Sequence, residues 1–380
     1  MTARPGRRLA GLTAALGAVL LAGCASAASQ AAAPAPAAAA APLDTTMTVA
    51  GGGTWAILAM GGSAASENLF WELFNRTAGS SRWALDTPPG VADNGGLVAS
   101  GSGGALTVAF RPSQDLTFSP LATTSNDGKN WATGLIDAPV AAAPDALAAA
   151  GGHTLALLDD GAIEQAGASG ADWTTLAASG AVAASVAGRR CGVTALTGVA
   201  YSPSGTPLAA ASCARTGTVG IFARTAGTWQ ADGPAAPGAG PVRVLRLTGT
   251  SAGDTALLTS GNGGGVSLRA AWSSGGTRWT TSPPLPVASR QILAVGTGPG
   301  TSVWALLSGG RAATLAGPGA AWRQLPAPPA ATVALAAGPG GTTDALAVAG
   351  AGLTVYRLAA DGTWSKAQAI TVPIQYGSSS

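Results

Sequence analysis

The sequence predicts an all-β fold built from many short antiparallel strands, and three observations carry this prediction. From Thr45 onward, no segment shows the apolar periodicity of an amphipathic helix. The chain instead has short runs of Ala, Val, Leu and Thr bounded by Gly, Pro, Asn or Asp, a pattern typical of strands joined by tight turns. A tryptophan also recurs at similar intervals, which indicates an internal repeat.

The tryptophan repeat sets the period of the fold. Seven tryptophans each follow a small turn by two to four residues: Trp83, Trp131, Trp173, Trp229, Trp279, Trp322 and Trp364. Successive members lie 48, 42, 56, 50, 43 and 42 residues apart, and four strands at this spacing match a β-propeller blade. We therefore predict a seven-bladed β-propeller of four-stranded antiparallel blades. Six or eight blades are the alternatives if an irregular unit is divided differently.

The N-terminus predicts export and lipidation. Arg4, Arg7 and Arg8 precede the apolar run Leu9–Leu21, whose thirteen residues are too few to span a bilayer core of about 30 Å. A signal peptide is therefore preferred to a permanent membrane helix. The run ends in Leu-Ala-Gly-Cys24, which resembles the bacterial lipobox, and the resemblance implies that Cys24 carries a lipid. Ordinary cleavage nearby, with Cys24 incidental, is the alternative.

These patterns divide the chain into four predicted segments. They are a lipoprotein signal peptide (1–23), the lipidated cysteine with an Ala/Pro-rich tether (24–44), the β-propeller (45–376) and a C-terminal tail (377–380). A tether of this composition cannot bury a core. The predicted location is the extracytoplasmic face of the cell membrane, reached by the general secretion route or, given Arg7-Arg8, by twin-arginine export.

The cysteine count fits an oxidising compartment. Apart from Cys24, only Cys191 and Cys213 are present, and an even pair in an exported protein predicts a disulfide. We expect the two cysteines on neighbouring antiparallel strands, where the bond would staple one hairpin. Two buried free thiols are the alternative.

Charge and composition limit the classes of partner. The whole chain has a net charge of +3, but loss of Arg4, Arg7 and Arg8 leaves 17 basic against 17 acidic side chains. This balance predicts no nucleic-acid partner, and we expect a monomer whose membrane contact is the lipid. The Ala, Gly and Arg bias indicates a GC-rich, actinobacterial genome.

One turn carries a family resemblance. The run Thr124-Ser-Asn-Asp-Gly-Lys-Asn-Trp131 is similar to an Asp-box, or BNR repeat, in which Ser, Asp, Gly and Trp form the turn between the third and fourth strands of a blade. The resemblance implies that the side chains of Ser125 and Asp127 satisfy turn backbone groups, with Gly128 completing the turn. It also implies a structural role, at the blade periphery, for these residues and the seven tryptophans.

The same resemblance raises the possibility of sialidase activity, which the residues do not support. The tyrosines Tyr201, Tyr356 and Tyr376 have no clear glutamate partner of the kind sialidases use, and Phe110-Arg111-Pro112 departs from the usual Arg-containing element. His153 is the only histidine, which excludes a His-rich zinc site. We therefore predict no catalytic residue, no metal and no cofactor.

Propellers bind ligands with the loops around their central axis. Here those loops are predicted to carry eight charged residues: Asp93, Arg111, Asp115, Asp145, Arg189, Arg190, Arg215 and Arg290. A channel opening that carries both acidic and basic residues suits a peptide, a glycan or a protein partner. The favoured hypothesis is a non-catalytic binding or scaffold lipoprotein. A carbohydrate-active enzyme with diverged Asp-boxes and an assembly factor for a membrane complex remain open.

Overall fold

The computed structural model describes residues 46–61, 69–88, 96–100, 105–110, 119–136, 144–167, 172–235, 238, 240–250, 253–262, 265–275, 278–287 and 292–373. The predicted signal peptide, Cys24, the whole tether and the C-terminal tail lie outside these residues. Almost all regular structure in the described part is antiparallel β-sheet, as the sequence predicts. No helix in this part of the chain has the length and apolar character needed to cross a bilayer.

Five sheets contain four strands each, and in every one of them the strands pair in chain order. Sheet A comprises β1 (Thr46–Ala50), β2 (Gly53–Gly61), β3 (Leu69–Arg76) and β4 (Ala84–Leu85). Sheet B comprises β5 (Gly96–Ser100), β6 (Leu106–Phe110), β7 (Ser119–Thr124) and β8 (Ala132–Ile136). Sheet C comprises β9 (Pro144–Ala150), β10 (His153–Leu158), β11 (Ile163–Gly167) and β12 (Thr174–Ala177).

Sheet D is larger and has nine strands. Its first half comprises β13 (Val193–Tyr201), β14 (Pro207–Cys213), β15 (Gly220–Thr225) and β16 (Thr228–Ala231). Its second half comprises β17 (Val242–Thr250), β18 (Gly253–Asn262), β19 (Gly265–Ser273), β20 (Trp279–Thr281) and β21 (Leu285–Val287). The halves are joined through β14 and β17 at the single pair Ser212 and Arg243.

Two further four-stranded sheets complete the described chain. Sheet E comprises β22 (Ile292–Thr297), β23 (Val303–Leu307), β24 (Arg311–Leu315) and β25 (Arg323–Leu325). Sheet F comprises β26 (Thr332–Ala337), β27 (Thr343–Ala349), β28 (Gly352–Leu358) and β29 (Trp364–Thr371). A short 3-10 turn, Pro339–Gly341, lies between β26 and β27.

The connection between β12 and β13 contains two short helices that the sequence did not predict. They are α1 (Ala181–Ala184) and α2 (Val186–Cys191). The side chain of Ser185 caps α2 by accepting a hydrogen bond from the backbone N–H of Gly188. Helices of four and six residues are too short to show an apolar periodicity, which is why the sequence did not reveal them.

A disulfide joins Cys191 to Cys213, with the two Cα atoms 5.0 Å apart. Cys191 is the last residue of α2, and Cys213 is the last residue of β14. The expectation that both cysteines lie on strands is therefore wrong for Cys191. The bond fastens the helical connection to sheet D instead of stapling a hairpin.

The sheets follow one another in space in chain order. The first strands β1, β5, β9, β13 and β17 contact one another in succession, β17 contacts β22, and β22 contacts β26. Apolar side chains fill the space between successive sheets. Trp55 and Ile57 of sheet A, for example, pack with Val108 and Phe110 of sheet B. Burying each such side chain contributes about 1.5–3 kcal/mol.

Sheets A and F, the first and the last, close the circle. The backbone N–H of Gly61 donates to the carbonyl of Gly350 at 2.9 Å. Deeper in this junction, Arg76 of β3 forms an ion pair of 2.7 Å with Asp344 of β27, and Arg357 of β28 pairs with the same carboxylate at 2.8 Å. Sheet F contains no strand from the N-terminal end of the chain. The ring is therefore closed by contacts between sheet A and sheet F, and not by a sheet that contains strands from both ends.

Candidate functional site

The predicted ligand-face residues divide into two groups. Asp93, Arg111, Asp115 and Arg290 lie outside the described residues. Among the described four, Asp145 is half-buried on β9, whereas Arg189 and Arg190 are exposed on α2 and Arg215 is exposed beyond β14. The backbone N–H of Arg215 donates to the carbonyl of Cys191 at 3.0 Å. The three arginines thus flank one disulfide, and Asp145 lies on a different sheet.

Three of the repeat tryptophans make the same contact. Each donates its indole N–H to a backbone carbonyl that lies one or two residues after a fourth strand of the preceding unit. The three pairs are Trp279–Asp232, Trp322–Pro283 and Trp364–Pro326. The indoles therefore bridge neighbouring four-stranded units, which is a fastening contact and not a ligand contact.

The remaining repeat tryptophans pack in related places. Trp83 and Trp229 are buried, Trp131 packs edge-to-face on Trp55 with ring centroids 6.1 Å apart, and Trp173 packs partly buried between sheets B and C. The indole N–H of Trp83 donates to a carboxylate oxygen of Asp344 at 3.4 Å.

The Asp-box-like turn is held by different residues from those the motif implies. The hydroxyl of Thr124 accepts from the backbone N–H of Gly128 at 3.1 Å, and the side-chain oxygen of Asn126 accepts from the N–H of Asn130 at 3.0 Å. These acceptors stand one residue before Ser125 and Asp127. The structure therefore corrects the expected roles of those two side chains, although Asp127 does adopt the turn's positive φ of 58°.

Gly128 is required at this turn for two reasons. Its φ of 83° favours glycine, and a Cβ there would lie 1.9 Å from a carboxylate oxygen of Asp86. Burial raises the pKa of Asp86, while hydrogen bonds from Asn75 and Trp131 partly oppose the rise. Gly128 therefore allows the turn of sheet B to pack directly against Asp86, which follows the last strand of sheet A.

The strongest candidate site is a cleft of about 280 Å³ at the end of β17, β18 and β19. We call it the Asp254 cleft, because Asp254 is the second residue of β18 and lines it. Asp254 pairs with Gly249 on β17 and with Ser273 on β19, so it lies within the sheet and is 1% exposed. Gly249 has no side chain, which allows β17 to approach Tyr201 of β13 closely. A Cβ on Gly249 would lie 1.7 Å from the carbonyl oxygen of Tyr201.

No described residue compensates the buried carboxylate of Asp254. Neither of its oxygens has a hydrogen-bond partner among the described residues. Burial and, to a smaller extent, the neighbouring Asp232 carboxylate raise the pKa of Asp254 to about 7. Burial also raises the pKa of Asp232. A buried acceptor left unpaired costs roughly 1–3 kcal/mol, and more when charged, so a donor supplied from outside would be strongly stabilising.

Two indoles stand in the lining of the Asp254 cleft, and each is fixed by a hydrogen bond. Trp272 donates to the carbonyl of Thr301 at 2.8 Å, and Trp279 donates to the carbonyl of Asp232. Arg278, which is exposed, also lines the cleft. The cleft therefore combines an acceptor without a partner, a nearby cation and two immobilised aromatic rings. A perturbed acid in a cleft marks a candidate functional site.

A second cavity, of about 450 Å³, lies between sheets E and F. Its lining is mostly apolar or small and includes Val303, Leu335 and Trp304, with Arg323 as its one charged residue among those described. It holds no carboxylate and no cluster of perturbed groups. No group of three metal-ligating side chains occurs in the part of the chain that the structure describes.

Solved structures give the fold its context. The periplasmic gluconolactonase of Pseudomonas aeruginosa is 16% identical, with 83% of this chain and 95% of that chain covered and a TM-score of 0.51. A putative 6-phosphogluconolactonase from Bacteroides fragilis is 15% identical, with 84% and 96% covered and a TM-score of 0.54. The chain has a β-propeller-like fold.

YCF48 from Cyanidioschyzon merolae also aligns with the propeller-like chain, at 15% identity over 87% of this chain and 98% of that one, with a TM-score of 0.48. No family model and no curated protein sequence matches the chain. At these identities the likeness concerns fold alone.

Sequence reasoning missed the Asp254 cleft, although one signal was present. Asp254 opens the apolar run of a second strand, Thr255-Ala-Leu-Leu258, and Asp344 opens another, Ala345-Leu-Ala-Val348. An aspartate at the start of a run that becomes fully buried is costly unless it is paired. Both positions could have been singled out on that ground.

Proposed function

We propose that this chain is an extracytoplasmic, lipid-anchored β-propeller that acts as a non-catalytic binding module, with the Asp254 cleft as its ligand site. One observation carries the proposal: Asp254 lines a cleft, and both oxygens of its buried carboxylate lack partners among the described residues. A ligand with N–H or O–H donors would satisfy them. Sites that hydrogen-bond a ligand hydroxyl discriminate strongly against ligands that lack it.

The lining of the cleft favours a neutral sugar as the ligand. Asp254 offers acceptors, Arg278 offers donors, and the partly buried Trp279 offers a rigid apolar surface. A sugar ring presents hydroxyl groups at its edge and C–H groups on its faces, so it can use all three. Because the lining contains both signs of charge, a strongly charged ligand would meet a repelling group as well as an attracting one.

Binding is tested by titrating the mature domain with glucose, galactose, mannose and N-acetylglucosamine in a calorimeter. We expect at least one of them to bind, and we expect Asp254→Asn to weaken that binding at least tenfold, since the amide replaces one acceptor with a donor. Asp361→Asn, at an exposed turn on sheet F, is the matched control and should bind like wild type. Binding equal in wild type and Asp254→Asn would overturn the assignment of the cleft.

A glycoside hydrolase is the second candidate, and the paired acids favour it. Asp254, with its pKa raised to about 7 by burial and by Asp232, has the protonation behaviour of a general acid. Nitrophenyl glycosides, sialosides included, separate the two functions. We expect no turnover above a blank, and turnover that Asp254→Asn abolishes would establish the enzyme instead.

The anchor is part of the proposal and is tested separately. Cys24 would carry the lipid, and residues 25–43 would hold the propeller away from the membrane. In an actinobacterial host, labelled palmitate should enter the wild-type protein. Cys24→Ala should lack the label and appear in the soluble fraction. Equal labelling of both proteins would refute lipidation at Cys24.

The blade count is the last part of the proposal. We infer seven blades, with sheet D counted as two. Each half of sheet D begins with the same strand order as the other sheets, and only the pair Ser212 and Arg243 joins the halves. A crystal structure in which these halves share one continuous ladder would contradict the count.

A further inference from the structure

A second site lies on the inner face of the circle of sheets. A cavity of about 40 Å³ is lined by residues of the first strands β1, β5, β9, β13 and β17. A single water requires about 10–15 Å³ measured in this way, so the cavity has room for only a few water-sized groups. We call it the channel cavity.

Arg246 is the one charged residue among those described that line the channel cavity. It follows an irregularity in β17, where the register against β18 shifts between Val244 and Arg246. Such a bulge inserts an extra residue and redirects the neighbouring side chains. The other side chains in the lining are mostly apolar, including Val98, Leu147 and Leu247.

No described carboxylate pairs with the guanidinium of Arg246, a residue that is half-buried overall. Its Nε is buried and has no hydrogen-bond partner among the described residues. No carboxylate belongs to the described lining of the cavity. Burial lowers the pKa of Arg246 to about 10, so the group is still a cation at neutral pH. By contrast, Arg76 and Arg357 both pair with Asp344. An unpaired charge in such surroundings is strongly destabilising.

We propose that the channel cavity binds a halide ion, which pairs with Arg246 at the centre of the propeller. A single small anion supplies the missing charge within about 40 Å³, a space that accommodates few atoms beyond one ion. This site takes a different ligand chemistry from the Asp254 cleft, although Gly249 of its lining pairs with Asp254 across β17 and β18. It makes the stability of the whole ring depend on an ion from the medium.

The test measures unfolding of the mature domain in sodium chloride or sodium bromide against sodium methanesulfonate at constant ionic strength. Above its dissociation constant, each tenfold increase in halide should raise the ratio of folded to unfolded protein nearly tenfold. Arg246→Gln should remove this dependence, and Arg246→Lys, which keeps the charge, should retain part of it. Arg243→Gln, at an exposed position on the same strand, is the control and should respond like wild type.

Bromide soaked into crystals gives a second readout that does not depend on how stable the variants are. We expect an anomalous peak beside the Arg246 guanidinium and none in Arg246→Gln. Equal halide dependence in wild type and Arg246→Gln would overturn the proposal, as would a channel cavity without bromide. Retained sugar binding by Arg246→Gln would show that the two sites are separate.

Discussion

Asp254 and Asp344 occupy the same place in different sheets and meet opposite surroundings. Each is the second residue of a second strand, in β18 and in β27, and each is almost fully buried, at 1% and 0% exposure. Asp344 receives Arg76 at 2.7 Å and Arg357 at 2.8 Å. Asp254 has no hydrogen-bond partner among the described residues.

The difference separates a carboxylate that arginines compensate from one that we propose as part of a ligand site. At the junction of sheets A and F, two guanidinium groups compensate Asp344, and Arg76 also lies over the ring of Trp83, 5.3 Å from its centroid. Every member of that cluster is used in closing the ring. In the Asp254 cleft the indoles are fixed, but the acceptor has no partner among the described residues, a cost that the proposed ligand would offset.

The largest expected effect comes from removing the charge of Asp344, the aspartate that pairs with two arginines. Asp344→Asn leaves two arginines without their charge partner at the ring closure. Removal of one member of a buried ion pair costs about 3–5 kcal/mol. Urea unfolding should show a loss of that size, while Asp159→Asn, at an exposed turn after β10, should leave the midpoint nearly unchanged. A small loss in Asp344→Asn would mean that ring closure does not depend on this cluster.

Asp254→Asn, unlike Asp344→Asn, should stabilise the folded protein at neutral and alkaline pH. The folded pKa of Asp254 is raised to about 7, against about 3.9 for an unfolded aspartate. The folded state therefore holds the proton more tightly, and wild-type stability falls as pH rises from about 4 to about 7. Removing the charge should stabilise the protein by about 2–4 kcal/mol at pH 8 and by almost nothing at pH 4.

Urea unfolding at the two pH values checks the Asp254 prediction. Asp232 titrates beside Asp254, and its pKa is raised in the same direction, so Asp254→Asn should flatten the pH profile without abolishing its slope. Destabilisation by Asp254→Asn at pH 8 would show that the carboxylate has a partner in solution.

The sequence predicts the strands of this fold better than it predicts the two aspartate sites. Runs such as Ile292–Val295 and Val333–Ala337, with their bounding glycines, locate strands because hairpin pairing is local. The pairing of Arg76 with Asp344 joins residues 268 positions apart, and nothing local indicates which arginine an aspartate meets. Helix α2 was missed for another reason: six residues capped by Ser185 carry too little periodicity.

Arg76 and Arg357, which both pair with Asp344, should contribute unequally to the free energy of unfolding. The side chain of Arg76 is 8% exposed and that of Arg357 is 23% exposed. Because solvent weakens the more exposed pair, Arg76→Met should cost about 2 kcal/mol and Arg357→Met about 1 kcal/mol. Urea midpoints of the two variants provide the comparison. Equal losses would indicate that Asp344 needs both partners to the same extent.

The smallest expected effect concerns the indoles, which occur on both sides of the comparison. Trp279→Phe removes the N–H that donates to Asp232 beside the cleft, whereas Trp364→Phe removes the N–H that donates to Pro326 at 3.2 Å. Each change should cost about 1 kcal/mol in urea unfolding, the usual value of one hydrogen bond. Of these two variants, only Trp279→Phe should also weaken sugar binding, because Trp279 lines the Asp254 cleft and Trp364 does not. If both variants weakened binding equally, the loss would reflect a general loosening of the sheets, and the indole of Trp279 would have no separate role in the cleft.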